Sequence, residues 1–162
     1  MRVLGIDPGS RYCGFGVVED ASGTRLRHLA HGVLHIAEAG SIEERLCALH
    51  EQLLRELRAH RPDVVAVEEV YFAKNARSAL ILGQARGVAL LAAAQSGARV
   101  RSFPASVIKQ AVTGTGRAEK EQVGRMVNLL LGITVQVRID ASDALAAAIC
   151  GLLRAREPEP AR

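Results

Sequence analysis

Asp7, Glu68, Asp140 and Asp143 are the residues of this 162-residue chain whose types and spacing could carry chemistry. Asp7 closes the apolar run Val3-Leu4-Gly5-Ile6 and is followed at once by Pro8-Gly9-Ser10. A continuous apolar run bounded by Pro and Gly reads as a strand covered on both faces, and Asp is a poor strand residue that is seldom buried without a partner. Taken alone, Asp7 needs only its turn, because an aspartate readily hydrogen-bonds the turn backbone that follows it. A second apolar run, Val64-Val65-Ala66-Val67, ends the same way, on Glu68 and Glu69. Asp140 and Asp143 are three apart at the start of an alanine-rich helical stretch, and so share one face of its first turn. Two acids there complement a helix dipole, which explains them if they stand alone. Four acids that converge are different: they repel and raise each other's pKa unless a cation neutralises them. An all-oxygen donor set without His or Cys favours Mg²⁺ or Mn²⁺ over zinc. Two such ions in one site serve in-line displacement at phosphorus by activating a water and stabilising the leaving oxygen.

The elements that must place these acids can be read in order. Tyr12 to Glu19 and Arg25 to Ile36 alternate loosely around the turn residues Asp20-Ala21-Ser22-Gly23-Thr24, which with the first run predicts an antiparallel meander of three strands. Ser41-Ile42-Glu43-Glu44 has the capping-box form, and Ile42, Leu46, Leu49, Leu53 and Leu57 continue at helical spacing until Arg61-Pro62-Asp63. A helix over roughly 42–60 therefore leads into the strand that ends on Glu68. Residues 76–96 are rich in Ala and Leu and carry Gly83 and Gly87, a small face packed either within the chain or against a second subunit. Arg99 to Phe103 reads as a strand and Pro104 to Val112 as a short helix; after a Thr-Gly loop, a helix from about Glu119 to Leu131 is closed by Gly132. The expected fold is α/β: a mixed five-stranded sheet, three antiparallel strands then parallel ones, with helices on both faces. Residues 1–156 make one domain on this reading, and the Glu-Pro-Glu-Pro tail, 157–162, is expected to be disordered. In such sheets ligands gather at the carboxyl ends of strands where the strand order reverses, and Asp7 and Glu68 stand at two such ends.

Composition limits what the site can act on. With 49% apolar residues the chain can build one real core. No run of about 18 apolar residues and no charged-then-apolar leader is seen, so a soluble, cytoplasmic protein with neither membrane span nor signal peptide is expected. Three cysteines, Cys13, Cys47 and Cys150, are widely spaced and form no metal-ligand pattern, as for small core residues in a reducing compartment. Net charge is +4, but its distribution says more: residues 70–138 hold ten Lys or Arg against two acids, whereas residues 1–69 hold eight against eleven. A basic half suits a polyanion, and beside a metal site for phosphorus chemistry it points to a nucleic-acid backbone.

Five segments closely resemble, in order, the motifs of the RuvC family of bacterial Holliday junction resolvases. They are Leu4-Gly5-Ile6-Asp7-Pro8-Gly9-Ser10, the stretch from Val67 through Glu68 to Asn75, Leu82-Gly83-Gln84-Ala85-Arg86-Gly87-Val88, Ala118-Glu119-Lys120, and Asp140-Ala141-Ser142-Asp143-Ala144-Leu145-Ala146. The resemblance spans nearly the whole chain. It implies a ribonuclease H-like fold, a homodimer, and Mg²⁺-dependent paired nicking of four-way DNA junctions in recombination and DNA repair, with the branch-migration proteins RuvA and RuvB as partners. Residue by residue, Asp7, Glu68, Asp140 and Asp143 fall on the family's four acidic positions. Glu69 takes a place where relatives often carry Gln and is read as a neighbour. Lys109 and Lys120 look like the family's basic residues near the scissile phosphate, Tyr71 falls where an aromatic meets junction bases, and Lys74 joins the DNA-binding set. Two rivals are weighed against this. The Asp-Pro-Gly-Ser turn also resembles the phosphate loop of the actin and sugar-kinase ATPase fold, which needs two lobes where this length provides one. A non-catalytic DNA-binding module would keep the acids as structural groups only.

Overall fold

The computed structural model describes residues 1–21, 25–36, 40–69 and 75–155. Strands β1 (Arg2–Asp7), β2 (Tyr12–Asp20) and β3 (Leu26–His35) form the antiparallel meander. Helix α1 (Ile42–His60) returns the chain so that β4 (Val64–Glu69) lies parallel to β1, and α2 (Ala76–Gln95) returns it again so that β5 (Arg99–Pro104) lies parallel to β4. The sheet order is β3-β2-β1-β4-β5, and α3 (Ala105–Thr113), α4 (Lys120–Leu131) and α5 (Ile139–Arg154) complete the chain. The capping box forms as its residues predict: the Glu44 amide donates to Ser41 Oγ at 3.3 Å, and the Ser41 amide donates to the Glu44 carboxylate at 2.8 Å.

The pleat of β1 and β4 decides where their acids point. Leu4, Ile6, Val65 and Val67 pack with Leu49, Leu53 and Leu57 of α1 and the alanines of α2, while Val3, Val64 and Ala66 pack with α3, α4 and α5 on the other face. Alternate residues share a face, so Asp7, in phase with Val3, and Glu68, in phase with Val64 and Ala66, both face the α5 side. Glu69 is out of phase with them.

On that side α5 lies unusually close to the sheet. A Cβ on Gly5 would stand 2.0 Å from the Ala144 carbonyl oxygen, and one on Gly14 would stand 1.9 Å from that of Asp140. Both distances are below any real contact, so glycine is required at each position for the helix backbone to rest on the strands. Alanines 144, 146, 147 and 148, all buried, complete the close packing. The face of α2 behaves differently: a Cβ on Gly83 or Gly87 would meet nothing within 4 Å, so neither glycine serves packing among the described residues. By length and mean hydropathy α2 is also the one candidate membrane span among the described residues. It nonetheless packs Ala85, Ala89, Ala92 and Ala93 into the core, and its Arg86 donates to the Glu68 carbonyl oxygen at 3.3 Å and to Ser102 Oγ at 3.0 Å.

Candidate active site

Asp7 ends β1 and Glu68 stands one register step past the Ile6–Val67 pair of β1 and β4, so the two carboxylates leave adjacent parallel strands at the same level. Asp140 and Asp143 come down from the first turn of α5, whose approach is set by Gly14, the register partner of Asp7. The crowding is expressed in the acids themselves. Burial first, then the charges of Asp143 and Glu68, with a smaller push from Asp140, lift the Asp7 carboxyl from 3.8 to about 7, against the attraction of Lys120. Glu68 is raised by burial and by Asp143, with Lys120 and Lys109 acting in the opposite sense. Among the described residues no side-chain hydrogen bond holds Asp7 to the Pro8-Gly9 turn, so the turn does not account for this carboxylate.

The two helix-borne acids are partnered. Lys120 Nζ donates to Asp143 Oδ2 at 2.9 Å, and this bond holds the ammonium above its ordinary pKa. Arg138 stands 3.5 Å from Asp140 Oδ2. Among the described residues no three His, Cys, Asp or Glu side chains are drawn close enough to hold a metal ion as they stand. Two cations of the chain itself, Lys120 and Arg138, pair with the helix-borne acids.

Around the acids the surface is concave, with two lysines set among the carboxylates. A cleft of about 160 Å³ is lined by Lys109 of α3 and Lys120 of α4 together with Glu68 and Asp143, and a neighbouring one of about 490 Å³ by Asp7, Glu68, Glu69, Lys120 and Asp143, so Glu69 borders the site although it is out of phase with Asp7. A larger hollow, about 1430 Å³, is lined by residues of α1, the α1–β4 turn and the end of α2, and its acid, Asp63, is already bound by the Arg2 amide at 2.7 Å. Of the residues expected at the site, Asp7, Glu68, Asp140, Asp143, Lys109 and Lys120 are brought together, while Tyr71, Lys74 and the 157–162 tail lie outside the described residues. Two further residues escape a reading of the sequence. Arg86 ties α2 to the end of β4 beneath Glu68; it lies within the 82–88 motif, but nothing in the sequence assigns it that contact. Arg138 is the N-cap of α5 and makes no side-chain cap bond, an unusual occupant of a place that favours Ser, Thr, Asp or Asn.

A mixed sheet in this order, with acids at the ends of its two central strands and on the helix laid across them, is a ribonuclease H-like fold carrying an acidic site. The family model for "Crossover junction endodeoxyribonuclease RuvC" matches residues 3–151, and the chain belongs to that family. It is 52% identical over 150 residues to the RuvC of Trichlorobacter lovleyi, covering 93% of this chain and 84% of that protein, and 51% identical over 163 residues to that of Myxococcus xanthus, covering 99% and 85%. Among solved structures it is similar to Thermus thermophilus RuvC in complex with a Holliday junction substrate, with a TM-score of 0.90 at 36% identity over 96% of this chain and 95% of that one. The yeast mitochondrial resolvase Ydc2, at 15% identity, a TM-score of 0.65 and coverage of 91% of this chain and 76% of that one, shares the fold.

Proposed function

We propose that this protein resolves four-way DNA junctions in the cytoplasm by paired, Mg²⁺-dependent nicks, with Asp7, Glu68, Asp140 and Asp143 as the metal-holding residues. The observation that carries the reading is Asp7, a partly buried carboxylate with three acids for neighbours, lifted to about 7 and left without a hydrogen bond among the described residues. Such a group lacks a cation, and an all-oxygen set of this kind fits Mg²⁺ or Mn²⁺. Ions held there supply the charge that activates water and stabilises the leaving oxygen at phosphorus. The chain's own residues do the rest. The glycine-seated α5 fixes Asp140 and Asp143 against the strand ends, and Arg86 fixes the Glu68 backbone. Lys109 and Lys120 offer positive charge to the reacting phosphate, where negative charge develops. We assign the 70–138 stretch, including Tyr71 and Lys74, to the DNA face on the strength of its charge and the family resemblance. A twofold dimer and partnership with RuvA and RuvB belong to the same proposal.

The test is cleavage of a labelled four-way junction with and without Mg²⁺. Asp7→Asn, Glu68→Gln and Asp143→Asn should each lower nicking by about a hundred- to a thousandfold, while junction binding persists because the basic surface is intact. Robust Mg²⁺-dependent nicking by one of these variants would remove that carboxylate from the site. Junction binding without any cleavage by the parent would favour the DNA-binding module instead.

A further inference from the structure

Arg138, counted in the reading above only among the charges of the 70–138 stretch, makes two specific contacts at the site. Its guanidinium carbon lies 4.5 Å from the centroid of the Tyr12 ring, while Nη2 stands 3.5 Å from Asp140 Oδ2. Tyr12 is braced in turn: it pairs in register with His35 of β3, and the two rings are 5.3 Å apart. A planar guanidinium on an aromatic face is held in a way that a free side chain is not. The four acids thereby fall into two pairs. Each helix-borne acid carries a cation of the chain, Lys120 on Asp143 and Arg138 on Asp140, whereas no ion pair among the described residues reaches Asp7 or Glu68.

We propose that Arg138, held on Tyr12, is a placed cation that opposes divalent-ion loading at Asp140 in the DNA-free protein and gives Asp140 up when a DNA phosphate engages its guanidinium. The inference rests on the assignment of Asp140 as a metal ligand. Two effects compete, and their sizes decide the sign. The Arg138 side chain is 60% exposed, and an exposed ion pair orients its carboxylate to the benefit of metal affinity by a factor of a few at most. Repulsion between a guanidinium and a divalent ion that share one carboxylate is worth on the order of tenfold in affinity, even at near-aqueous dielectric. Restraint wins. A phosphate that neutralises the guanidinium lifts the restraint, and reciprocity requires metal to tighten DNA binding by the same factor. The device keeps the ions off the site until the substrate is on it.

The experiment is calorimetric titration of Mn²⁺ into parent, Arg138→Gln and Tyr12→Leu proteins. It is run without DNA and again on a four-way junction with charged, uncleavable methylene-bridged phosphonates at the crossover. Without DNA, Arg138→Gln should bind Mn²⁺ about five- to tenfold more tightly than the parent, and Tyr12→Leu, which frees the guanidinium from its ring, should shift the same way by less. The junction should tighten Mn²⁺ binding to the parent by a similar factor and to Arg138→Gln scarcely at all. Equal Mn²⁺ affinity of parent and Arg138→Gln without DNA overturns the proposal and leaves the carboxylate site standing. Weaker binding by Arg138→Gln would make Arg138 a positioning residue for Asp140, which also overturns it. Absence of Mn²⁺ binding to any of the three, with or without the junction, overturns the metal site and this inference with it.

Discussion

At the scale of single residues, Asp7 makes a prediction about stability that is separable from activity. Its carboxyl is raised from 3.8 to about 7, so between those values the folded chain holds a proton that the unfolded chain has released. Stability from this group is therefore full below about pH 4, is lost as pH rises toward 7, and stays lost above it, where the charged acids repel without relief. In EDTA the parent should lose melting temperature between pH 5 and pH 8 more steeply than Asp7→Asn, which has no such proton. At pH 8 the variant should melt no lower than the parent, and added Mg²⁺ should raise the parent more. An Asp7 that chiefly anchored its turn would give the opposite in thermal melts: a variant less stable at every pH, with an unchanged response to metal. The adjacent glutamates offer a cleaner comparison still. Glu69 is out of phase with Asp7 across the pleat, so Glu69→Gln should cleave close to the parent rate, and a loss as large as that of Glu68→Gln would reverse the choice between them. For Lys109→Ala and Lys120→Ala, turnover should fall by a larger factor than junction affinity, as befits charge placed at the reacting phosphate. A change confined to affinity, with the salt slope reduced by about one, would make each an ordinary backbone contact.

At the scale of elements, the site depends on how near α5 comes to β1 and β2. Gly14→Ala puts a methyl group where the Asp140 carbonyl oxygen is 1.9 Å away, so α5 must lift. The expected cost is about 1–3 kcal/mol of stability, with cleavage lost because Asp140 and Asp143 rise with the helix. Gly87→Ala is the control: its Cβ meets nothing, and the better helix former should hold or raise the monomer's stability by up to about 1 kcal/mol. Urea unfolding of both variants checks the contrast, and equal effects would show that the close approach is not what seats the helix. These glycines also mark where a linear reading stops. The meander, the α1 capping box, the two strands that end on acids and the helix that starts on two more were all legible, because each is specified by neighbours in sequence. Nothing near Gly14 in the chain announces that Asp140 will lie on top of it. The contacts of Arg86 with Glu68 and of Arg138 with Tyr12 escaped for the same reason: the first reaches back 18 positions and the second joins the two ends of the chain.

At the scale of the whole molecule, the described residues of one copy form one acidic site, whereas opening a four-way junction into two duplexes takes two nicks. A C₂ pair provides two equivalent sites through a self-complementary interface. The surface best suited to it is the outer face of α2, where Leu80 is 64% and Leu91 53% exposed, and where a Cβ on Gly83 or Gly87 would meet nothing among the described residues. The spacing 80, 83, 87, 91 keeps these four on one side of the helix, and small residues at its centre allow a second backbone to come close. We expect the parent to scatter light as a dimer at micromolar concentration and Leu80→Glu/Gly83→Arg to scatter as a monomer. Both substitutions are on an exposed face, so the melting temperature of the isolated chain should barely move. The consequence for function is read on a supercoiled plasmid with an extruded cruciform: the parent should produce linear DNA by two nicks in one encounter, and the variant should accumulate nicked circles. A variant that stays dimeric and linearises the plasmid would move the interface elsewhere, and a parent that is monomeric both free and on junction DNA would end the paired-site reading.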